Sequence, residues 1–301
     1  MEKAKVDREE SGSELQRRPW GQMECNLLIL IFQKLAMISD VLGVAQVCSE
    51  WRKAAPYTRF FISDNQLNLR YYDSVSFKQR AIYFILLRKS LETQNLNDLV
   101  FSFGSTLPGE LLIYIAQRSS TTLKSLYLTE NSLTRLTPSY IPKIIPHWKN
   151  LTSLDAAAWT ASTMEQLINV VGLHCRKLTE LRLYGIIETP EAEKIVASFP
   201  ELRSLDLSCC YFSEPALGII MEGVKNLKRM NLCHTVCWEK DMNKFRTKAP
   251  WEEEAKAEIK KELLDKLTAL EDFQYCYSAC ALCHATSFGR FEIVKAKETK
   301  Y

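Results

Sequence analysis

Six times along the chain an apolar spacing of the form Leu-x-x-Leu-x-Leu, or a close variant, returns. The copies are Leu96-x-x-Leu99-x-Phe101, Leu123-x-x-Leu126-x-Leu128 and Leu151-x-x-Leu154-x-Ala156, then Leu178-x-x-Leu181-x-Leu183, Leu202-x-x-Leu205-x-Leu207 and Leu227-x-x-Met230-x-Leu232. Their first leucines are 27, 28, 27, 24 and 25 residues apart. Within each copy apolar and polar residues alternate, which describes a strand with one buried face. A single strand with its return segment has nothing against which to bury those leucines. Stacked neighbours supply it, so a period in this range implies a one-dimensional array with a shared core. The expected class is α/β: a curved solenoid, with parallel strands on the concave face and helices outside.

The stretches between copies read as return segments. Ser162 precedes Met164, Leu167, Ile168 and Val171; Thr189-Pro190 precedes Ile195, Val196 and Phe199; Ser213 precedes Leu217, Ile220, Met221 and Val224. Each is a helix start signal followed by one apolar face. The return segment carrying Pro138, Pro142 and Pro146 is expected to be irregular, because proline removes a helical donor. The pattern resembles the leucine-rich repeats. In that family the residue at the turn after the strand bonds backbone groups, which here falls to Asn131 and Cys210.

Before the repeats, Leu27, Leu28, Ile31, Phe32 and Leu35 form one helical stripe, and Val41, Val44, Ala45, Cys48 and Trp51 a second. Asn26 and Ser39 are candidate caps, and Pro56 ends the pattern. So few short helices have little interior of their own. They are expected to pack against a partner or against the rest of the chain.

The residues Met23–Leu35, Asp40–Leu42 and Val47–Arg52 resemble an F-box, with Leu-Leu-x-x-Ile-Phe-x-x-Leu followed by Val-Cys-x-x-Trp-Arg. Trp20 ahead of the first helix is similar to the plant-type variant, although Gly21-Gln22-Met23 replaces the family's opening Leu-Pro. The resemblance implies docking to a Skp1-type adaptor, and through it to a cullin and a RING subunit. Carried over by position, the docking face would use Leu27, Leu28, Ile31, Phe32, Leu35, Leu42, Val47, Cys48 and Trp51, with Arg52 supporting the third helix. The chain then divides into a tail (1–17), the F-box (18–61), leucine-rich repeats (62–238), a charged helical insertion (239–268), a last repeat or cap (269–288) and a mobile tail (289–301). Ala255, Ile259, Leu263 and Leu267 line one face of the insertion, and Leu270-x-x-Phe273-x-Tyr275 resembles a final strand.

Strand residues between the leucines should face the concave surface, where Tyr127, Asp155, Arg182, Tyr184, Asp206 and Arg229 make a polar and aromatic strip suited to a target. Cys276, Cys280, Cys283 and His284 are weak zinc candidates, with spacing that matches no common finger; Cys233, His234 and Cys237 form a second short cluster. With four histidines in the chain and no nucleophile elbow, phosphate loop or His-Glu-x-x-His pair, the sequence supports neither an enzyme nor a cofactor. A net charge of +3 over 301 residues gives no case for nucleic acid or a membrane surface. Met1–Gln16 lacks the apolar centre of a secretory signal, so reduced thiols in the cytoplasm and/or nucleus are expected for the ten cysteines.

The functional expectation is a non-catalytic substrate-recognition subunit of a Skp1–cullin–F-box ubiquitin ligase. The alternative is a repeat scaffold that binds a protein or small ligand without recruiting a ligase.

Overall fold

The computed structural model describes residues 20–101, 108–128, 140–158, 161–238 and 261–275. Three short helices open the described chain: α1 (Cys25–Phe32), α2 (Ile38–Val44) and α3 (Ser49–Ala54). A hairpin, β1 (Ile62–Ser63) and β2 (Gln66–Asn68), leads through 3-10 turns to α4 (Arg80–Thr93). The repeats then alternate β3 (Asp98–Val100), α5 (Gly109–Arg118), β4 (Ser125–Leu128), the short α6 (Ile141–Ile144), β5 (Ser153–Ala158), α7 (Ala161–His174), β6 (Glu180–Ile187), α8 (Thr189–Ser198) and β7 (Ser204–Asp206). They continue with β8 (Tyr211–Ser213), α9 (Glu214–Gly223), β9 (Arg229–Leu232), β10 (Val236–Trp238), α10 (Lys261–Thr268) and β11 (Asp272–Tyr275).

The sheet runs β1-β2-β3-β4-β5-β6-β7-β9-β11, parallel from β2 onward. The register puts Leu67, Leu99, Leu126, Leu154, Leu181, Leu205, Met230 and Phe273 in one column across eight strands. Burial alternates as the pattern required: in β6 every second residue from Leu181 to Ile187 is buried. The last spacing, Leu270 to Tyr275, does form a strand, paired in register with β9. β8 and β10 form a second, minor ladder at the turns after the main strands.

The expected return helices are present. Met164, Leu167, Ile168 and Val171 are buried from α7, and Leu217 and Ile220 from α9. Ser213 caps α9 by accepting from the Ala216 N–H. α8 starts on a capping box between Glu188 and Glu191, with Thr189-Pro190 opening the first turn. Of the proline-rich return segment, the part from residue 140 is described: a single turn of α6 followed by a 3-10 turn at Ile145–His147, while Pro138 lies outside the described residues.

Side chains at the repeat turns tie each unit to the one before. Cys210 is buried and its thiol donates to Leu183 O at 2.9 Å, the turn role expected for it; Asn131 lies outside the described residues. On the outer layer Trp148 Nε1 donates to Ser119 Oγ at 2.9 Å, and the Cys175 thiol to Trp148 O at 3.4 Å. Cys209 and His234 hold equivalent left-handed turn positions with φ of 64° and 60°.

The N-terminal helices are not separate from the repeats. One continuous cluster of buried residues runs from Leu28 to Leu267. Phe61 stacks on Tyr83 of α4 at 5.3 Å, Ile62 N donates to Ser90 Oγ, and Gln94 Nε2 reaches Pro56 O. The boundary expected at residues 61–62 therefore passes through packed core, which periodicity could not reveal because β1 and β2 carry no leucine-repeat spacing. The caps also differ: α1 is preceded by Glu24 and α2 by Met37, neither making a side-chain cap bond, so Asn26 and Ser39 do not cap. Trp51 belongs to α3, and Cys48 directly precedes that helix, rather than sharing one helix with Val41, since the chain turns between Ala45 and Cys48. Of the charged insertion, Lys261–Thr268 is described; Leu267 is buried there, while Ala255 and Ile259 lie outside the described residues.

Burial pushes the Cys175 thiol up to about 12. An unfolded thiol ionises near 8.5, so between these values the folded chain holds a proton that the unfolded chain releases. Stability from this group is complete below the unfolded value and falls as pH rises toward the folded one. Urea midpoints should drop between pH 8 and pH 10, and less so for Cys175→Ala; equal slopes would refute the assignment.

Candidate functional site

Two surfaces contain the expected functional residues, and the fold treats them differently. On the N-terminal helices, Leu28, Phe32 and Leu42 are at most 2% exposed and belong to the internal core, so they are not available as docking contacts. Leu27, Ile31 and Val47 are open to solvent, while Leu35, Cys48 and Trp51 are half-buried. Two exposed residues were missed, Leu30 and Met37. The signal for Leu30 was present: α1 reads Leu-Leu-Ile-Leu-Ile-Phe, and a helix apolar all round needs cover on every side. Leu27, Leu30 and Ile31 share one face at i, i+3 and i+4 spacing. Met37 and Val47 lie in the turns on either side of α2. These five side chains are between 43% and 62% exposed.

Trp51 organises this region from within. Its ring lies edge-on to Phe32 at 5.5 Å and to Trp20 at 6.4 Å, and its Nε1 donates to Trp20 O at 3.1 Å. Arg52 Nε donates to Ala45 O at 3.0 Å, so it holds the end of α2 as well as standing on α3. Arg59 Nη2 does the same for Ala36 O. These bonds fix the two turns that carry Met37 and Val47.

On the concave sheet face, the register brings Tyr127, Asp155, Arg182, Asp206 and Asn231 into one row across neighbouring strands. Arg182 is the centre. Its Nη1 lies 3.7 Å from Asp155 Oδ2, its Nε 3.2 Å from Asp206 Oδ2, and its guanidinium sits 4.8 Å from the Tyr184 ring centre. Nε points off the line to Asp206 and makes no hydrogen bond, so that contact is ionic. Burial works against the Arg182 charge, but Tyr184, Asp206 and Asp155 outweigh it and hold its pKa above the ordinary value. Burial, then Asp155, keep the Tyr184 phenol well above the usual range. Asn231 Nδ2 donates to Asp206 Oδ2, and Arg229 pairs with Glu180 at 2.9 Å. Thus Asp155, Arg182, Tyr184 and Asp206 form an interlocked floor, and Arg229 is paired at its edge. Tyr127 is the exposed aromatic of the expected strip. Beside the floor, Glu180, Ser204, Asp206, Arg229, Asn231 and Asp272 line a polar depression of about 320 Å³.

Cys276, Cys280, Cys283 and His284 lie outside the described residues. Among the described residues no group of three or more histidine, cysteine or carboxylate side chains could hold a metal ion. Likewise no described helix is long and apolar enough to cross a membrane.

No family model matches the chain. A curated F-box/LRR-repeat protein of Arabidopsis thaliana is 24% identical over 285 residues, covering 89% of this chain and 88% of the relative. The chain is homologous to plant F-box/leucine-rich-repeat proteins. A second F-box protein of that plant is 25% identical over 256 residues, covering 71% of this chain and 77% of the relative. Among solved structures, an internalin of Listeria monocytogenes matches 65% of this chain and 57% of its own length, at 15% identity and a TM-score of 0.31. A Bacteroides fragilis protein matches 64% of this chain and 69% of its own, at 10% identity and a TM-score of 0.29.

Removing Arg182 would leave two partly buried carboxylates without their shared cation. Arg182→Ala should therefore destabilise the repeats by about 1–3 kcal/mol in urea unfolding, discounted from a fully buried ion pair because the side chain is 27% exposed. A change below about 0.5 kcal/mol would show that the cluster is only a solvated surface.

Proposed function

We propose that this chain is the substrate-recognition subunit of a Skp1–cullin–F-box ubiquitin ligase. The α1–α3 segment docks a Skp1-type adaptor, which links it to cullin and RING subunits, and the repeats hold the target. The chain performs no chemistry of its own. It raises the effective concentration of the target's lysines beside a charged conjugating enzyme. Its place of work is the cytoplasm and/or nucleus.

What supports this reading is the exposure of Leu27, Leu30, Ile31, Met37 and Val47 on the segment that resembles an F-box, in a chain homologous to F-box/LRR-repeat proteins. A desolvated apolar centre is what a lasting protein interface needs, and such residues left in water mark an unmet contact. The relatives in hand are F-box and F-box/LRR-repeat proteins, and no enzyme family is indicated. The packed seam between α4 and the 55–62 segment favours one part of the alternative reading: the helices also cap the solenoid. Capping and docking are compatible, because they use opposite faces.

The test separates those faces. Ile31→Lys with Val47→Lys should weaken co-purification with a Skp1-type adaptor roughly tenfold or more, while the melting temperature stays near wild type. Phe32→Ala should instead lower stability by about 3–5 kcal/mol, because it empties a core position. Undiminished adaptor binding by the lysine pair, with the fold intact, would leave the scaffold reading standing. Deleting residues up to 61 should unfold the first repeat, since Phe61 is the stacking partner of Tyr83.

A further inference from the structure

Cations gather along one edge of the repeats. The backbone bonds at the start of the strands run Lys124 N to Asn97 O, Thr152 N to Lys124 O, Thr179 N to Thr152 O, Arg203 N to Thr179 O and Lys228 N to Arg203 O. Lys124, Arg203 and Lys228 therefore stand in one row along the rim where the sheet begins. The turns just before this row add Lys149, Arg176, Lys177 and Lys225, all exposed. They are held in line by side-chain bonds from turn to turn: Asn150 Nδ2 to Thr121 O, Lys177 Nζ to Asn150 Oδ1 and Asn226 Nδ2 to Pro200 O. Against these seven cations the same rim carries the carboxylates Glu201 and Glu271, the latter paired with Lys228 at 2.7 Å. Among the described residues Lys124, Lys149, Arg176 and Arg203 have no ion-pair partner. The exposed carboxylates Glu165, Glu193 and Glu222 lie instead on the outer helices.

We infer that this rim docks an anionic peptide segment, carboxylate-rich or phosphorylated, of the protein that the repeats recognise. The inference rests on the target-binding role proposed above and gives that target a chemistry. Like charges kept in a row without internal partners are a standing repulsion, which an anionic ligand relieves. Neighbouring strands are about 4.8 Å apart, so Lys124 to Lys228 spans four spacings, roughly 19 Å. An extended peptide of about six residues covers that length. A narrow chain fits better than a nucleic acid, because the row one residue inward carries Asp98, Glu180 and Asp272 against one cation, Arg229, which is paired with Glu180 at 2.9 Å. That net negative row opens the concave floor next to the rim and would repel a broad polyphosphate.

The full chain can be tested by fluorescence anisotropy at physiological ionic strength. The probes are labelled oligoglutamate, a phosphoserine peptide of equal net charge, and oligothymidylate of equal net charge. Wild type should bind one or both peptides. The triple variant Lys124→Glu, Arg176→Glu, Arg203→Glu should bind at least about tenfold more weakly, given up to ~1 kcal/mol per exposed charge. The corresponding glutamine triple should fall between, and a Lys143→Glu control should match wild type. Preference for phosphoserine assigns a phosphorylated segment, and preference for glutamate an acidic one. Equal binding by wild type and the charge-reversed triple, no peptide binding by wild type, or tighter binding of oligothymidylate than of either peptide overturns the inference. Adaptor co-purification from the same preparations is read separately. Loss of adaptor binding with the rim effect intact would defeat the ligase reading and leave the anionic docking edge in place.

Discussion

The column of leucines that passes through eight parallel strands is the interaction on which everything else depends. A strand in this sheet buries one face, and the material covering it comes from its own return segment and from the adjacent repeat. No single unit can satisfy this requirement. Removing one column residue would cost stability in two neighbouring units, because the cavity is shared. The thiol of Cys210 and the indole of Trp148 reinforce the same dependence, since each donates to the preceding unit. A rigid concave face follows, in which side chains at equal register keep fixed neighbours.

The array has two ends, and the ends expose a problem the middle does not have. At the N-terminal end the hairpin β1–β2 and helix α4 close the stack, and the aromatic contacts among Phe61, Tyr72, Tyr83 and Phe84 bind the first three helices to them. At the other described end, α10 packs beside α9, and Lys266 pairs with Glu222 at 3.4 Å. The N-terminal helices thus use one face to finish the solenoid. Their other face keeps Leu27, Leu30 and Ile31 in water. The exposed face is thus joined to the repeats through packed core rather than across a loose linker.

The concave floor shows why chemical type alone is a poor guide to recognition. Arg182 has the side chain expected of a binding anchor, yet it is the central cation of an ion cluster within the sheet. Its role is to hold Asp155 and Asp206 across neighbouring repeats. On the rim, among the described residues, Arg176 and Arg203 have no ion-pair partner, and both lie outside the alternating strand positions.

The amino-acid sequence by itself determined the repeat, its main strands and the return helices α7, α8 and α9, but not α5 or the minor strands β8 and β10. Period and alternation are local quantities, and Leu181, Leu205 and Met230 carry them without reference to anything distant. It also located the F-box segment, whose spacing lies within about thirty consecutive residues. Which apolar residues of that segment are core and which are surface was decided only in three dimensions: Phe32 and Ile31 are adjacent and equally apolar, but one faces α3 and the other solvent. The same holds for the join at residues 55–62 and for the partners of Arg182. Each depends on residues dozens of positions apart meeting through packing, and no periodic signal encodes such a meeting.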